Sequence, residues 1–327
     1  MNRNRLSAVG LVTGALLFGS AAARASCGSA FCTLDTDFGL PGSLSGSGLR
    51  LNLRYEFIDQ DQPRHGSDAV HVGEIPAHHD EVRTINRNWL AGIDYAFDNA
   101  WGVAVNAPIV DRDHTHIHHH MGEALRENWE FTELGDVQVL GRHQWHLWRT
   151  ASSGSEARYD TVGINLGVKL PTGRTGVKND DGEPAERSLQ PGTGTTDVLI
   201  GAFYQSLAVH GAWSWFAQGL YQHSTDSDDH FRPGTRLTLN AGVARKLTGT
   251  CSLLMQLNAQ HRARDEGSDA EPEDSGGKAM FVSPGVSWAL TPKLSVYGFV
   301  QKPIYQYANG VQLTADWSAV AGVGLSL

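Results

Sequence analysis

Beyond its first eighteen residues the chain has no apolar run near the roughly 20 residues that a helix needs to cross a bilayer. An α-helical membrane protein is therefore not expected. Basic excess is also missing. Lys and Arg total 26 against 35 Asp and Glu, a formal net charge of −9, which argues against a nucleic-acid partner. Cysteine is scarce: Cys27, Cys32 and Cys251 fit no common zinc or haem spacing. Catalytic motifs are lacking as well. There is no G-x-S-x-G elbow and no H-E-x-x-H, and Gly192-Thr-Gly-Thr-Thr has no Lys to make a phosphate loop. Asp136 and His146 share a strand face, but ten residues hold them over about 30 Å apart. The chain is not expected to be an enzyme.

What it does have is alternation. In Val311–Leu327 the odd positions are apolar: Val311, Leu313, Ala315, Trp317, Ala319, Ala321, Val323, Leu325 and Leu327. The even positions are small or polar apart from Val320. Side chains on a strand point alternately to opposite faces, so this is one long two-faced strand. Such a strand fits the closing pass of a membrane β-barrel, with lipid outside and polar groups inside.

The first 25 residues read as a signal peptide. Arg3 and Arg5 give a positive start, Leu6 to Phe18 an apolar core, and Ala23-Arg24-Ala25 a cleavage site. Cys27 invites a lipoprotein reading, against which Arg24 stands where such signals carry Leu. Residues 26–48 are Gly/Ser-rich and read as a periplasmic lead-in, and 49–327 as the barrel. In an exported, oxidising setting Cys27 and Cys32 form a small-loop disulfide candidate, with a thiol or metal site as the alternative.

The patterning predicts about twelve strands: 49–60, 84–97, 101–112, 135–148, 159–170, 195–209, 213–224, 235–246, 250–263, 278–289, 293–304 and 310–327. Long charged connections at 61–83, 113–134, 171–194, 225–234 and 264–277 alternate with short ones, the plan of long external loops and short periplasmic turns. The expected fold is an all-β transmembrane antiparallel barrel in the outer membrane of a Gram-negative bacterium, with lipid around it. The polar parity should line the lumen, with Arg50, Arg54, Glu56, Asp94, Arg142, Lys169, Arg236, Arg262 and Asp316 as its charged members. Twelve strands lie between a filled interior and an open channel, so a narrow or partly plugged pore is expected. The final strand should pair with 49–60. It ends in Leu327, where the barrel-assembly machinery usually reads Phe.

Fifteen histidines are many for this length, and twelve fall on the expected outer side. His65, His71, His78 and His79 lie in the first long connection. His114, His116, His118, His119 and His120 lie in the second, within Asp111-Arg-Asp-His-Thr-His-Ile-His-His-His120. If the strand continues upward, the even histidines ladder down the lumen face roughly 6.5–7 Å apart. Imidazoles at that spacing can share Zn²⁺ or Cu²⁺. The competing reading is a hydrophilic surface loop with no specific ligand.

Val168-Lys-Leu-Pro-Thr-Gly-Arg-Thr-Gly176 and Pro191-Gly-Thr-Gly-Thr-Thr-Asp197, set in this strand plan, resemble the outer-membrane barrel family associated with the meta-pathway of phenol degradation. The resemblance implies a transporter-like barrel proposed to pass small organic compounds, and brings no assigned site residues. The His-rich connections and the Cys pair depart from that family. Three readings follow: a solute channel whose external histidines capture transition metal, a channel for small hydrophobic or aromatic compounds with incidental histidines, and a non-conducting metal-binding barrel.

Overall fold

The computed structural model describes residues 34, 36, 47–76, 80–120, 123–149, 158–208 and 213–327. All its regular elements are strands: β1 (Gly48–Gly66), β2 (Asp68–Ala69), β3 (Asp80–Ala96), β4 (Trp101–His120), β5 (Glu123–Leu134), β6 (Val137–Arg149), β7 (Arg158–Leu170), β8 (Asp197–Ala208), β9 (Trp213–Ser224), β10 (Arg236–Lys246), β11 (Cys251–Arg262), β12 (Gly277–Ala289) and β13 (Leu294–Ser326). Neighbours run antiparallel, and β13 returns to β1 to close the sheet into a barrel. Closure leaves no raw sheet edge in lipid, which a membrane-spanning sheet requires.

Eleven elements make the wall, while β2 caps the end of β1 and β5, among the described residues, pairs only with β4. The last element is double. A straight strand of 33 residues would exceed about 100 Å, but β13 turns at Gly310, where φ is 56°. A Cβ there would stand 1.9 Å from the Asp274 carboxylate. Residues before the turn pair with β12 and residues after it with β1, with Ala308 meeting both. The chain thus crosses twelve times, which agrees with the strand count read from the alternation.

The outer face carries the apolar parity. Tyr95, Phe97, Trp101, Trp213 and Trp288 are exposed toward the short-turn end, and Trp89, Tyr221, Tyr305 and Trp317 toward the other. Amphipathic rings favour the two lipid–water boundaries, so these mark the edges of the spanning band. Tyr55 packs on Trp89 at 4.9 Å between ring centroids, and Phe57 on Trp317 at 5.6 Å.

Three sequence expectations change. Residues expected in the 61–83 and 113–134 connections are largely strand, because their alternation persists above the band. β1 and β3 continue upward, and β4 with β5 forms a tall hairpin in which Thr115 faces Asn128. Of the expected periplasmic lead-in, the described residues Leu34 and Thr36 lie inside the barrel. Leu34 packs with Ile58, Phe216, Tyr297 and Phe299, and Thr36 accepts a hydrogen bond from Arg54 at 3.1 Å.

The third change is in the closing strand. Leu51 faces Leu325 and Phe57 faces Ala319, all outward. The register then slips: Ile58 faces Ser318, but Gln60 faces Ala315. Residues 316 and 317 form a bulge on β13, and a second shift between Gln60 and Gln62 places an extra residue in β1, so the parity of both strands is inverted above this point. Leu313 and Ala315, read as lipid-facing, point inward; Leu313 is fully buried with Trp129, Ala185 and Leu189. Asp316, read as lumen-lining, is exposed on the bulge beside Trp317.

Candidate functional site: the barrel lumen

The polar parity builds an interior of hydrogen-bonded side chains. Asn258 donates to Asn240 at 2.9 Å and accepts from Ser283 at 2.7 Å. Asn86 donates to Gln60 at 3.0 Å and accepts from Arg112 at 2.8 Å. Tyr297 lies over Gly322, where a Cβ would stand 2.4 Å from the ring, and its hydroxyl donates to Asn52 at 2.9 Å. The small residues of the final strand are therefore space for an inward ring.

Ion pairs organise the charged residues. Asp94 accepts from Arg50 at 2.7 Å and from Arg142 at 3.0 Å. Arg54 pairs with the buried Glu56 at 3.0 Å. Arg262 donates twice to Asp265, at 2.7 and 2.6 Å. Lys169 lies between Asp136 (2.8 Å) and Asp197 (3.3 Å), all three buried. Arg50, Arg54, Asp94, Lys169, Arg236 and Arg262 border one internal cavity of about 480 Å³.

Asp136 does more than neutralise Lys169. It accepts from the Gly173 backbone N–H (3.0 Å) and from both the N–H and hydroxyl of Thr193 (2.9 and 2.8 Å). Those residues open and close the 171–196 connection, which folds into the barrel. At its base the chain approaches itself so closely that a Cβ on Gly192 would stand 2.4 Å from the Gly173 carbonyl oxygen. This is the physical content of the Leu-Pro-Thr-Gly and Pro-Gly-Thr-Gly stretches. Further along it, Leu189 is fully buried against Trp129 and Leu313, and its carbonyl accepts from Arg112 at 2.5 Å. Arg187 pairs with Asp228 at 2.8 Å and stacks 5.2 Å over Phe231. Ser188, Gln190 and Pro191 line the cavity. The sequence alone places this segment outside, because it lacks the period of two. The paired Gly-Thr signals at its ends were the available clue to its anchoring.

Above the band, the extended β4 places His114 and His116 inside the mouth, both buried. The Thr84 hydroxyl lies 2.7 Å from His114 Nδ1. His116 is 3.2 Å from Glu127 on β5 and 3.7 Å from Glu186 on the inward segment. Burial pushes His114 well below the usual imidazole range, and the neighbouring His116 and Arg112 add to the shift. Burial also lowers His116, against the opposing pull of Glu127. Of the other candidate metal ligands, His118 is half-buried on β4 and His65 and His71 are exposed. His119 and His120 belong to β4, and nothing is described of their side chains. His78, His79, Cys27 and Cys32 lie outside the described residues. Among the described residues no three His, Cys, Asp or Glu side chains converge as a metal site.

Comparison with known proteins gives the context. The chain resembles in structure an outer membrane channel from Pseudomonas putida F1, with a TM-score of 0.66, 12% identity, and coverage of 90% of this chain and 100% of that one. The KdgM porin has a TM-score of 0.42 at 9% identity, covering 85% and 99%. A Pseudomonas aeruginosa FadL homologue has a TM-score of 0.39 at 10% identity, covering 89% and 93%. No curated protein matches by sequence. The family model for the MetA-pathway of phenol degradation matches residues 120–312. That span exceeds half of the chain and includes both Gly-Thr stretches, so this outer-membrane barrel of a Gram-negative bacterium belongs to the MetA-pathway of phenol degradation family.

Proposed function

We propose that the protein is a passive outer-membrane channel for small organic solutes, with the one-ring aromatic compounds evoked by its family's description as first candidates. The observation that carries this reading is the cavity of about 480 Å³ inside a closed wall, bordered by the inward 171–196 segment. Ligand pockets typically run about 300–1,000 Å³, so a single ring with its substituents fits. Apolar side chains such as Leu220, Val110 and Phe231 share the lining with charged ones, giving a passing ring surfaces to slide on. The family match and the fold of the Pseudomonas channel support transport. No chemistry is assigned to the barrel.

Purified protein in planar bilayers should give discrete conductance steps. Liposomes containing it should swell in small aromatic solutes faster than empty ones. A protein that inserts but gives neither steps nor swelling would be a closed barrel, and the channel reading would fall.

A further inference from the structure

We infer that the cavity holds an anion-binding site centred on Arg236, fitted to the carboxylate of a small organic acid with an apolar body. The inference deepens the channel reading and rests on it for bringing solute into the cavity.

The charge balance of the cavity is the first support. The whole chain carries −9, yet seven Arg or Lys side chains border the cavity, against three Asp on its lining and three further acids, Glu56, Asp228 and Asp265, that pair with lining cations. The pairing pattern is the second. Arg50 has Asp94, Arg54 has Glu56, Lys169 has Asp136 and Asp197, Arg187 has Asp228, and Arg262 has Asp265. Arg112 donates to Asn86 and to the Leu189 carbonyl. Arg236 makes no side-chain hydrogen bond or ion pair among the described residues, although it borders the cavity and is half-buried.

The acids nearest to acting on it are already committed. Asp197 accepts from Thr195 (2.9 Å), Gln222 (2.5 Å) and Ser224 (2.7 Å) besides facing Lys169. Asp265 is taken by Arg262 and by the Gly234 N–H at 2.7 Å. In the wall, Arg236 stands directly between Gln222 on β9 and Arg262 on β11. A second cation beside it raises the gain from an incoming negative charge. The guanidinium is a planar fork that matches a carboxylate with two parallel hydrogen bonds. Leu220, Phe231 and Pro233 border the cavity from the same strands and the connection preceding β10, so the body behind the carboxylate meets apolar surface.

The test is equilibrium binding of benzoate to the detergent-solubilised full chain, with benzyl alcohol as its neutral counterpart. Wild type should bind benzoate saturably and benzyl alcohol much more weakly. Arg236→Gln should weaken benzoate roughly tenfold, as expected for a lost charge-assisted hydrogen bond. Arg236→Lys, which keeps charge but not the fork, should fall between. Absent or non-saturable benzoate binding, equal binding of the two compounds, or an unchanged Arg236→Gln variant would overturn the site. Should Arg236→Gln fail to fold, the wild-type comparison of benzoate with benzyl alcohol still decides. Binding does not require an open pore. A barrel that conducts but ignores benzoate therefore refutes this site alone, and one that binds benzoate but never conducts refutes the channel reading.

Discussion

Asp136 shows how a single carboxylate can hold a whole segment. It sits at the break between β5 and β6, neutralises Lys169, and caps two backbone N–H groups of the inward segment. His114 makes a comparable contribution at the mouth, and its effect depends on pH. Folded, it is held neutral by burial; unfolded, it takes up a proton below about pH 6.5. The unfolded chain then binds more protons, so stability falls as pH drops below that value, toward the depressed folded pKa. Protease resistance of the β4–β5 hairpin should be lower at pH 5 than at pH 7.5, and His114→Gln should flatten the difference. An equally steep response in the variant would remove His114 as its source. The inward direction of His114 and His116 was legible in the sequence, since they continue the even parity of β4. The burial of Leu189 was not, because no period marks a segment that touches the wall at only a few points.

At the level of the element, β13 shows what alternation can and cannot reveal. The length of its final pass, its outward Ala319–Leu325 stripe and its partner were readable, because period two is a direct image of a wall between lipid and lumen. The bulge at residues 316 and 317 was not, because the polar and apolar sets look unbroken across it. Only the neighbouring strand shows that Gln60 must meet Ala315. Deleting Asp316 should remove the β13 bulge, leave the extra β1 residue between Gln60 and Gln62 uncompensated, and turn Leu313 away from Trp129 and Ala315 away from the cluster that contains Leu34. Folded yield in detergent should then drop sharply, whereas Asp316→Ala, which keeps the residue count, should fold near wild-type yield. Similar yields from the two would mean that the inversion is not needed. The same reasoning explains β4 and β5. Charge and histidine content made them look like a loop, yet their alternation was that of a strand continued beyond the bilayer.

For the whole molecule, the interior is a compartment bordered by Leu34 and Thr36 and by the 171–196 segment. Replacing residues 177–190 with an equal length of Gly and Ser should raise single-channel conductance severalfold, since Leu189, Gln190 and Arg187 would leave the lumen. Unchanged conductance would place the constriction elsewhere. The barrel architecture and its closure were read from the sequence, because they repeat over nearly three hundred residues; what fills the barrel does not repeat, and so had to be seen. The seam between β1 and β13 bears on how such a barrel is born. The Gln60 side chain donates to the Leu313 carbonyl at a sequence separation of 253, and the rungs of the backbone ladder beside it join partners comparably remote. No rung can form until the last strand has been delivered, so closing entropy falls due at the final step. Until then the growing sheet has two open margins, each a template for a neighbour's strand. The polypeptide must therefore be sheltered through its whole synthesis and export, and its most vulnerable moment is the one just before it becomes complete.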